Sequence, residues 1–279
     1  MEHVPVMKEE VAKFLRGKGI FVDATTGTGG HTEYILEKFP DLRAICLDRD
    51  KQSLQYAMKR LEKFRPRLEF IHSDYRKLPD LNLPWKKIDA ILFDMGLSSF
   101  QLSSTRGFSY QKDAPLDMRF NPDEGKPASV FLREISYSEL VIIFKNFADL
   151  KRAEELAREI KGRKIESTSD LVNAVKKVYK TTKRELLSRV FQAIRIAVNR
   201  ELEGIDDMIF RLLELLPDGA RLIFITYHSG EDRIIKNSFR EAEKRGKMKI
   251  LTKKVIKPSR QEIIKNPRAR SAKMRVGEK

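Results

Sequence analysis

Apolar and polar residues along the chain follow two patterns, short apolar runs and longer segments with apolar residues at every third or fourth position. The short runs predict buried strands, and the periodic segments predict helices. The strand-like runs are Ile20–Val22, Arg43–Leu47, Leu68–Ile71, Ile88–Phe93 and Arg221–Tyr227. Four of them alternate with helical segments and the fifth comes much later. This arrangement predicts an α/β fold built on a doubly wound parallel sheet.

The alternation stops after the fourth run, where the segment 100–127 is irregular and rich in Ser, Gly, Pro and Arg. Helical periodicity then returns, and Ser136-x-x-Glu139 and Ser167-x-x-Asp170 have the pattern of capping boxes. We therefore predict an inserted helical subdomain for substrate recognition over 105–183. Residues 1–104 and 184–279 would form the sheet domain, including one long helical segment from Glu185 to Leu216 and two strand-like runs near the end, 249–256 and 272–276.

A glycine-rich turn with Gly27, Gly29 and Gly30 follows the first strand and precedes a helix. Alone, this turn fits either a plain strand-to-helix connection or a ligand cradle at the carboxyl edge of the sheet. A dinucleotide fingerprint would need glycine or alanine at Thr32. Asp23 would also repel a pyrophosphate, so it suits a positively charged ligand without phosphate. S-adenosylmethionine (SAM) is such a ligand.

Polar side chains also end the other strands of the predicted sheet. Asp48 follows the second strand at about 20 residues from Gly27, the distance at which an acid reaches a ribose diol. Asp94 ends the fourth strand, and Tyr75 lies just after the third. Each acid by itself also fits a helix cap or a surface carboxylate. Together they outline a pocket of the size of adenosine.

Composition indicates a globular protein with a polyanionic partner. Of 279 residues, 41% are hydrophobic and 34% charged, and Lys and Arg exceed Asp and Glu by 56 to 40, a net charge of +16. This surplus favours nucleic acid over a membrane as the partner. No apolar run approaches the length of a membrane span. With no signal peptide pattern after Met1 and a single cysteine, Cys46, we expect a cytoplasmic protein.

The chemistry available to the chain is limited. The four histidines lack metal-ligand spacing, so we expect no metal, and Cys46 lies inside a strand. Methylation of cytosine carbon 5 needs a nucleophilic cysteine at a strand end, whereas methylation of an exocyclic amine needs none. We predict that Asp94, Ser98 and Ser99 bracket such an amine and that His228 approaches from the fifth strand. His228 also fits a satisfied polar residue, and we expect no essential general base.

Several segments resemble the bacterial small-subunit rRNA cytosine-N4 methyltransferase family, RsmH/MraW. They are Asp23–His31, Asp94–Leu102, Arg106–Ser109, Pro115–Arg119, Phe191–Leu202, His228–Arg233 and Asn266–Ser271. The resemblance implies a class I SAM-dependent enzyme that methylates N4 of a cytidine in 16S rRNA, in the decoding region of the assembled small subunit. It also implies SAM contacts at Gly29, Gly30, His31, Asp48, Tyr75, Asp94 and Gln101. His31 also fits a residue that only bonds the backbone.

Recognition of RNA requires further cationic and polar groups. The candidates lie in the family-like segments and are Arg106, Arg119, Arg195, Asn199, Arg268 and Arg270. The basic C-terminal segment that contains the last two also fits a solvated surface. Two alternatives to the rRNA methyltransferase remain at this point. One is a non-catalytic RNA-binding ribosome-assembly factor on the same fold, and the other is a small-molecule methyltransferase, which the positive charge disfavours.

Overall fold

The computed structural model describes residues 5–279, apart from the side chain of Ser99. Its strands are β1 (Ile20–Asp23), β2 (Arg43–Asp48), β3 (Leu68–His72), β4 (Ile88–Asp94), β5 (Arg221–Thr226), β6 (Lys249–Ile250) and β7 (Lys273–Glu278). Its α-helices are α1 (Lys8–Ala12), α2 (Gly30–Lys38), α3 (Lys51–Arg60), α4 (Ser99–Ser103), α5 (Ala128–Glu134), α6 (Tyr137–Ala148), α7 (Ala153–Lys161), α8 (Thr168–Tyr179), α9 (Arg184–Asn199), α10 (Ile205–Leu215), α11 (Ser229–Lys244) and α12 (Arg260–Lys265). Within this part of the chain no helix is long and apolar enough to cross a membrane.

The strands form one sheet in the order β3-β2-β1-β4-β5-β7-β6. The first five strands in the chain pair in parallel, whereas β7 runs antiparallel to β5 and β6. Strand order reverses between β1 and β4, and ligands bind at such a switch point, outside the carboxyl ends of the strands. The predicted doubly wound α/β fold with a helical insert is confirmed.

The apolar runs of β1, β2, β4 and β5 form strands because the sheet buries them on both faces, whereas the edge strand β3 is only partly buried. β4 is buried from Ile88 to Phe93, and Phe93 stacks on Phe224 of β5 with ring centroids 4.3 Å apart. Polar residues therefore occur at the strand ends, where Asp23, Asp48 and Asp94 terminate β1, β2 and β4. The position of these acids follows directly from the length of each apolar run.

The strand-like run 249–256 is shorter in the structure than predicted. Only Lys249 and Ile250 form a strand, and Ile256 makes an isolated bridge to Met274. Between them the chain leaves the ladder, because the N–H groups of Leu251 and Thr252 both donate to the carbonyl oxygen of Val276. The loop that follows therefore lies beside the edge of the sheet.

The described chain forms two compact units, Met1–Ser98 with Gly204–Lys279, and Ser99–Glu203. The second unit is wider than the predicted insert of 105–183 because α9 packs on α5 and α6 and belongs with them. The single long helix predicted from Glu185 to Leu216 is wrong. Arg200 adopts a left-handed conformation with φ of 50° and Gly204 one with φ of 70°, so the helix ends and α10 starts anew.

Candidate active site

Asp23 is enclosed by the turn that follows it. Its side chain is buried, its Oδ2 accepts the Thr32 hydroxyl at 2.7 Å, and its backbone carbonyl accepts the Thr26 hydroxyl at 2.9 Å. Burial raises the pKa of Asp23, and the neighbouring His31 opposes that rise. Gly29 is the N-cap of α2 with φ of 83°, and a Cβ there would lie 3.0 Å from Leu61. Asp23 therefore anchors the turn through its bonds to Thr26 and Thr32. The left-handed backbone at position 29 requires glycine.

Asp48 links two consecutive turns at the carboxyl end of β2. Its Oδ2 accepts the N–H of Gly27 at 2.6 Å, and its Oδ1 accepts the N–H of Asp50 at 2.8 Å. Each carboxylate oxygen can accept two hydrogen bonds, so both keep one acceptor position. Burial raises the pKa of Asp48 to about 6. A pair of acceptor oxygens held in place by backbone fits the two adjacent hydroxyls of a ribose, as SAM requires.

Asp94 lies between three groups at the end of β4. Tyr227 donates its hydroxyl to Oδ1 at 2.8 Å, and Nδ1 of His31 lies 3.7 Å from Oδ2. The backbone N–H of Asp94 donates to the Thr25 hydroxyl at 2.6 Å. Burial raises the pKa of Asp94 to about 7, and the hydrogen bond from Tyr227 opposes that rise. The free protein thus holds a carboxylate that a cationic ligand would stabilise.

His31 adds little compensating charge to this cluster. Its Nε2 donates to the carbonyl oxygen of Val6 at 2.8 Å, so the neutral ring directs an Nδ1 lone pair towards Asp94. Burial lowers the pKa of His31 and keeps the ring neutral. The backbone bond that the sequence left as an alternative is present. It orients the ring beside Asp94, and a SAM contact stays a prediction.

Tyr227 is the member of this cluster that the sequence interpretation did not select. It directly follows β5, whose Ile225 pairs with Asp94 in the sheet. Its ring also covers Gly96, where a Cβ would lie 2.6 Å from a ring carbon. Two features of the sequence could have identified Tyr227. They are an aromatic residue at the end of the strand next to β4 and a glycine in the facing loop.

The other residues predicted to contact SAM or the substrate lie in different parts of the structure. Ser98 lies near the turn, since a Cβ on Gly27 would be 3.7 Å from Ser98 Cβ. Tyr75 is almost buried, with its ring edge on Phe93 at a centroid distance of 5.8 Å. Gln101 is buried in α4, which belongs to the second unit. The Ser99 side chain lies outside the described part of the structure, so its role stays a prediction.

His228 serves as the N-cap of α11. Its Nδ1 accepts the N–H groups of Gly230 at 3.2 Å and of Glu231 at 3.4 Å. Its Nε2 lies 2.9 Å from Oε1 of the buried Glu231. Nδ1 therefore caps the helix, whereas Nε2 is buried and makes no hydrogen bond within the described part of the chain, so the alternative of a satisfied polar residue holds for one ring nitrogen only. A role of His228 in catalysis stays a prediction.

The four RNA-binding candidates of the second unit have internal partners. Arg195 forms two bonds of 2.8 Å to Glu201, and Asn199 donates to Met118 and accepts from the N–H of Phe120. Arg119 is paired with Asp117 through both of its oxygens, and Arg106 donates to the carbonyl oxygens of Arg119 and Phe120. These contacts hold the loop 117–121 on α9. The proposed RNA contacts of these four residues stay predictions.

The two C-terminal candidates are placed differently. Arg268 and Arg270 are exposed on either side of the buried Ala269, in a short 3-10 helix from Pro267 to Ser271. Both arginines are therefore at the surface of this segment. The sequence pattern Pro-Arg-Ala-Arg thus produces a pair of surface cations on a backbone anchored by an apolar side chain.

Cys46 has no access to a substrate. It is completely buried within β2, and burial raises the pKa of its thiol well above the ordinary value. A buried thiol of this kind is inert. Among residues 5–279 no group of His, Cys, Asp or Glu side chains could hold a metal ion. The described site thus provides carboxylates, a tyrosine hydroxyl and backbone groups for its chemistry.

Proteins of known name resemble this chain in sequence over nearly its whole length. The chain is 40% identical to ribosomal RNA small subunit methyltransferase H of Thermotoga neapolitana, over 99% of this chain and 95% of that protein. It is 38% identical to the protein of the same name from Carboxydothermus hydrogenoformans, over 99% of this chain and 97% of that protein. A family model described as the MraW methylase family matches residues 1–279. The chain therefore belongs to the MraW methylase family.

Proposed function

We propose that this chain transfers a methyl group from SAM to the exocyclic N4 of a cytidine in 16S rRNA. The observation that carries the proposal is the attachment of two strand-end acids to one turn. Asp48 accepts the N–H of Gly27, and the backbone of Asp94 donates to Thr25 in the same turn. The relatives are named for methylation of small-subunit rRNA, and the charge of +16 suits RNA.

Bound SAM would supply an electrophilic methyl group, and the chain has to hold both reactants. In this proposal Asp48 accepts the ribose hydroxyls. Asp94, oriented by Tyr227, contributes negative charge beside the turn, where it favours a cationic cofactor. Water can take the proton that the methylated amine releases. The buried thiol of Cys46 argues for the amine as target and against carbon 5, which needs a reactive cysteine.

The substrate in this proposal is the assembled small subunit, and the target cytidine lies in its decoding region, as the family resemblance implies. Unstacking a cytidine to expose N4 costs a few kcal/mol. Contacts to the surrounding RNA have to offset that cost, so a bare oligonucleotide is expected to react poorly.

Nucleoside mass spectrometry of 16S rRNA tests the proposal. A strain that lacks this gene should lose an N4-methylated cytidine, and a plasmid copy of the gene should restore it. Unchanged N4-methylcytidine in the deletion strain would contradict the proposed reaction. The non-catalytic assembly factor predicts no loss of methylation and no SAM binding by calorimetry, so the two functions give different results.

Replacement of Arg268 and Arg270 by Ala should weaken binding of the small subunit. Both side chains are exposed and can contact phosphates. For each phosphate of a single strand that is neutralised, a tenfold rise in salt lowers the logarithm of the affinity by about 0.7. The slope of a salt titration should therefore decrease by about one to two units. Calorimetry should give an unchanged SAM affinity for the variant.

The matched control is Lys86→Ala with Lys87→Ala. These exposed lysines precede β4, at the edge of the sheet opposite the carboxyl ends of the parallel strands. The control removes the same net charge and should keep the slope of the wild type. Equal slopes for all three proteins would mean that the C-terminal arginines are only a solvated surface.

A further inference from the structure

A second concave site lies on the first unit, between α11 and the edge of the sheet formed by β6 and β7. It has a volume of about 350 Å³. Lys236 and Arg240 of α11 line one side, and Arg275 of β7 and Lys253 of the following loop line the other. We call it the α11 cavity. Its volume lies near the lower end of the range for small-molecule sites, which is more room than one phosphate group needs.

The charges of the α11 cavity are unbalanced. Arg275 is neutralised by Asp232, with bonds of 2.8 and 3.3 Å, and Glu243 is the acid in the lining. One oxygen of Glu243 accepts the N–H of Ile250 at 2.9 Å. Lys236, Arg240 and Lys253 outnumber that carboxylate, so the cavity carries an excess of positive charge. An anionic group is the ligand that this arrangement favours.

The base of the α11 cavity is apolar. Phe239 is buried beneath it with an edge-to-face contact to Phe224, and Ile250 and Val255 form part of the wall. The hydroxyl of Thr252 is occupied, since it accepts the N–H of Val276 at 2.9 Å. Cations around an apolar base suit a ligand with a charged group and a flat or apolar part. A nucleotide unit of RNA has both.

Lys236 and Arg240 are four residues apart on α11, so their side chains project from the same face of the helix about 5–6 Å apart at Cβ. This spacing lets both cations approach one phosphate. The cavity is also separate from the candidate active site. β7 lies three strands, about 14 Å, from β1, two from β4 and one from β5, and none of the residues that line the cavity belongs to the group of Asp23, Asp48, Asp94 and Tyr227.

We propose that the α11 cavity binds one nucleotide of the substrate RNA, with its phosphate between Lys236 and Arg240 and its base or ribose against Ile250 and Val255. This inference rests on the proposed function, since it assumes an RNA substrate. It adds an RNA contact on the outer edge of the sheet, away from the reacting cytidine. The second oxygen of Glu243 then has a role as acceptor for a hydroxyl or amino group of that nucleotide.

Lys236→Ala combined with Arg240→Ala tests the proposal by salt titration of small-subunit binding. The affinity should decrease about three- to tenfold, and the slope should decrease by about 0.7, the value for one phosphate of a single strand. The SAM affinity and the melting temperature should not change, because neither side chain forms part of the sheet core or the glycine turn. Lys86→Ala with Lys87→Ala is again the matched control, since it removes two exposed cations that do not line the cavity.

The outcomes separate this inference from the proposed function. A slope for the cavity variant equal to that of the control overturns the inference, whether or not the wild type methylates cytidine. Failure of the wild type to form N4-methylcytidine contradicts the reaction, while the slopes still test the cavity. Cytidine 5′-monophosphate serves as a second probe. If the variant loses binding of this mononucleotide but keeps the wild-type slope, the cavity is a small-molecule site and the inference is wrong.

Discussion

Replacement of Asp48 by Ala is expected to weaken SAM binding at least tenfold in calorimetry. The carboxylate has one acceptor position left on each oxygen, and a charge-assisted hydrogen bond contributes about 1.5–3 kcal/mol. Loss of two such bonds to a ribose is therefore a large effect. The substitution also leaves the N–H groups of Gly27 and Asp50 without this acceptor, so the melting temperature of the free protein should change as well.

A second buried acid, Asp89, separates the effect on SAM affinity from the effect on thermal stability. Asp89 of β4 is as buried as Asp48, each being 8% exposed, and it accepts the N–H of Arg16 at 2.8 Å at the opposite edge of the sheet. Asp89→Ala should therefore change thermal stability and leave SAM affinity as in the wild type. An Asp48→Ala protein with wild-type SAM affinity would remove Asp48 from the cofactor site.

The strands of the sheet could be predicted from the sequence because few other secondary structures fit their residues. Each parallel strand is a short apolar run that ends at a polar residue, and in the four inner strands, β1, β2, β4 and β5, burial on both faces allows little else. The capping boxes of α6 and α8 were equally local signals, and both form as expected, with Ser136 bonded to Glu139 and Ser167 bonded to Asp170. Local sequence thus determined these elements almost completely.

The break between α9 and α10 has a different origin. Apolar periodicity continues through 200–204, but Glu201 is held in a buried ion pair with Arg195, six residues earlier. A side chain six positions away cannot be reached so closely along a straight helix, so the chain turns at Arg200. The packing of α9 on α5 and α6 places this helix in the second unit, and that packing is not visible in the local sequence.

The candidate site was predictable in its acids and less so in their partners. A residue type at a strand end identifies a carboxylate near a switch point, as with Asp48 and Asp94. It does not show which neighbour will donate to that carboxylate. The hydroxyl of Tyr227 reaches Asp94 only because β5 lies beside β4, and Asn199 bonds inwards because α9 lies against the loop that contains Met118 and Phe120.

Asp94→Asn should stabilise the free protein at pH 8 and weaken SAM binding about tenfold. A carboxyl whose pKa is raised to about 7 in the folded protein contributes stability at low pH that is lost as the pH rises from about 4 to 7. The amide has no charge to desolvate, so its melting temperature should exceed that of the wild type at pH 8 and equal it below about pH 4. An amide N–H can also donate to the Nδ1 lone pair of His31. In this variant SAM no longer binds beside a carboxylate at position 94, and calorimetry should show the lower SAM affinity.

The pH dependence of SAM affinity distinguishes this explanation from a simple change of shape. In the wild type, affinity should rise with pH through about 7, as Asp94 ionises in the free protein. Asp94→Asn should remove the part of that rise near pH 7 and leave any part near pH 6, where Asp48 ionises. Tyr227→Phe should instead move the part near pH 7 to higher pH, because the hydroxyl that stabilises the carboxylate is missing while the carboxylate remains. If both variants kept the wild-type pH profile, Asp94 would not be the group whose charge meets the cofactor, and its raised pKa would reflect burial alone.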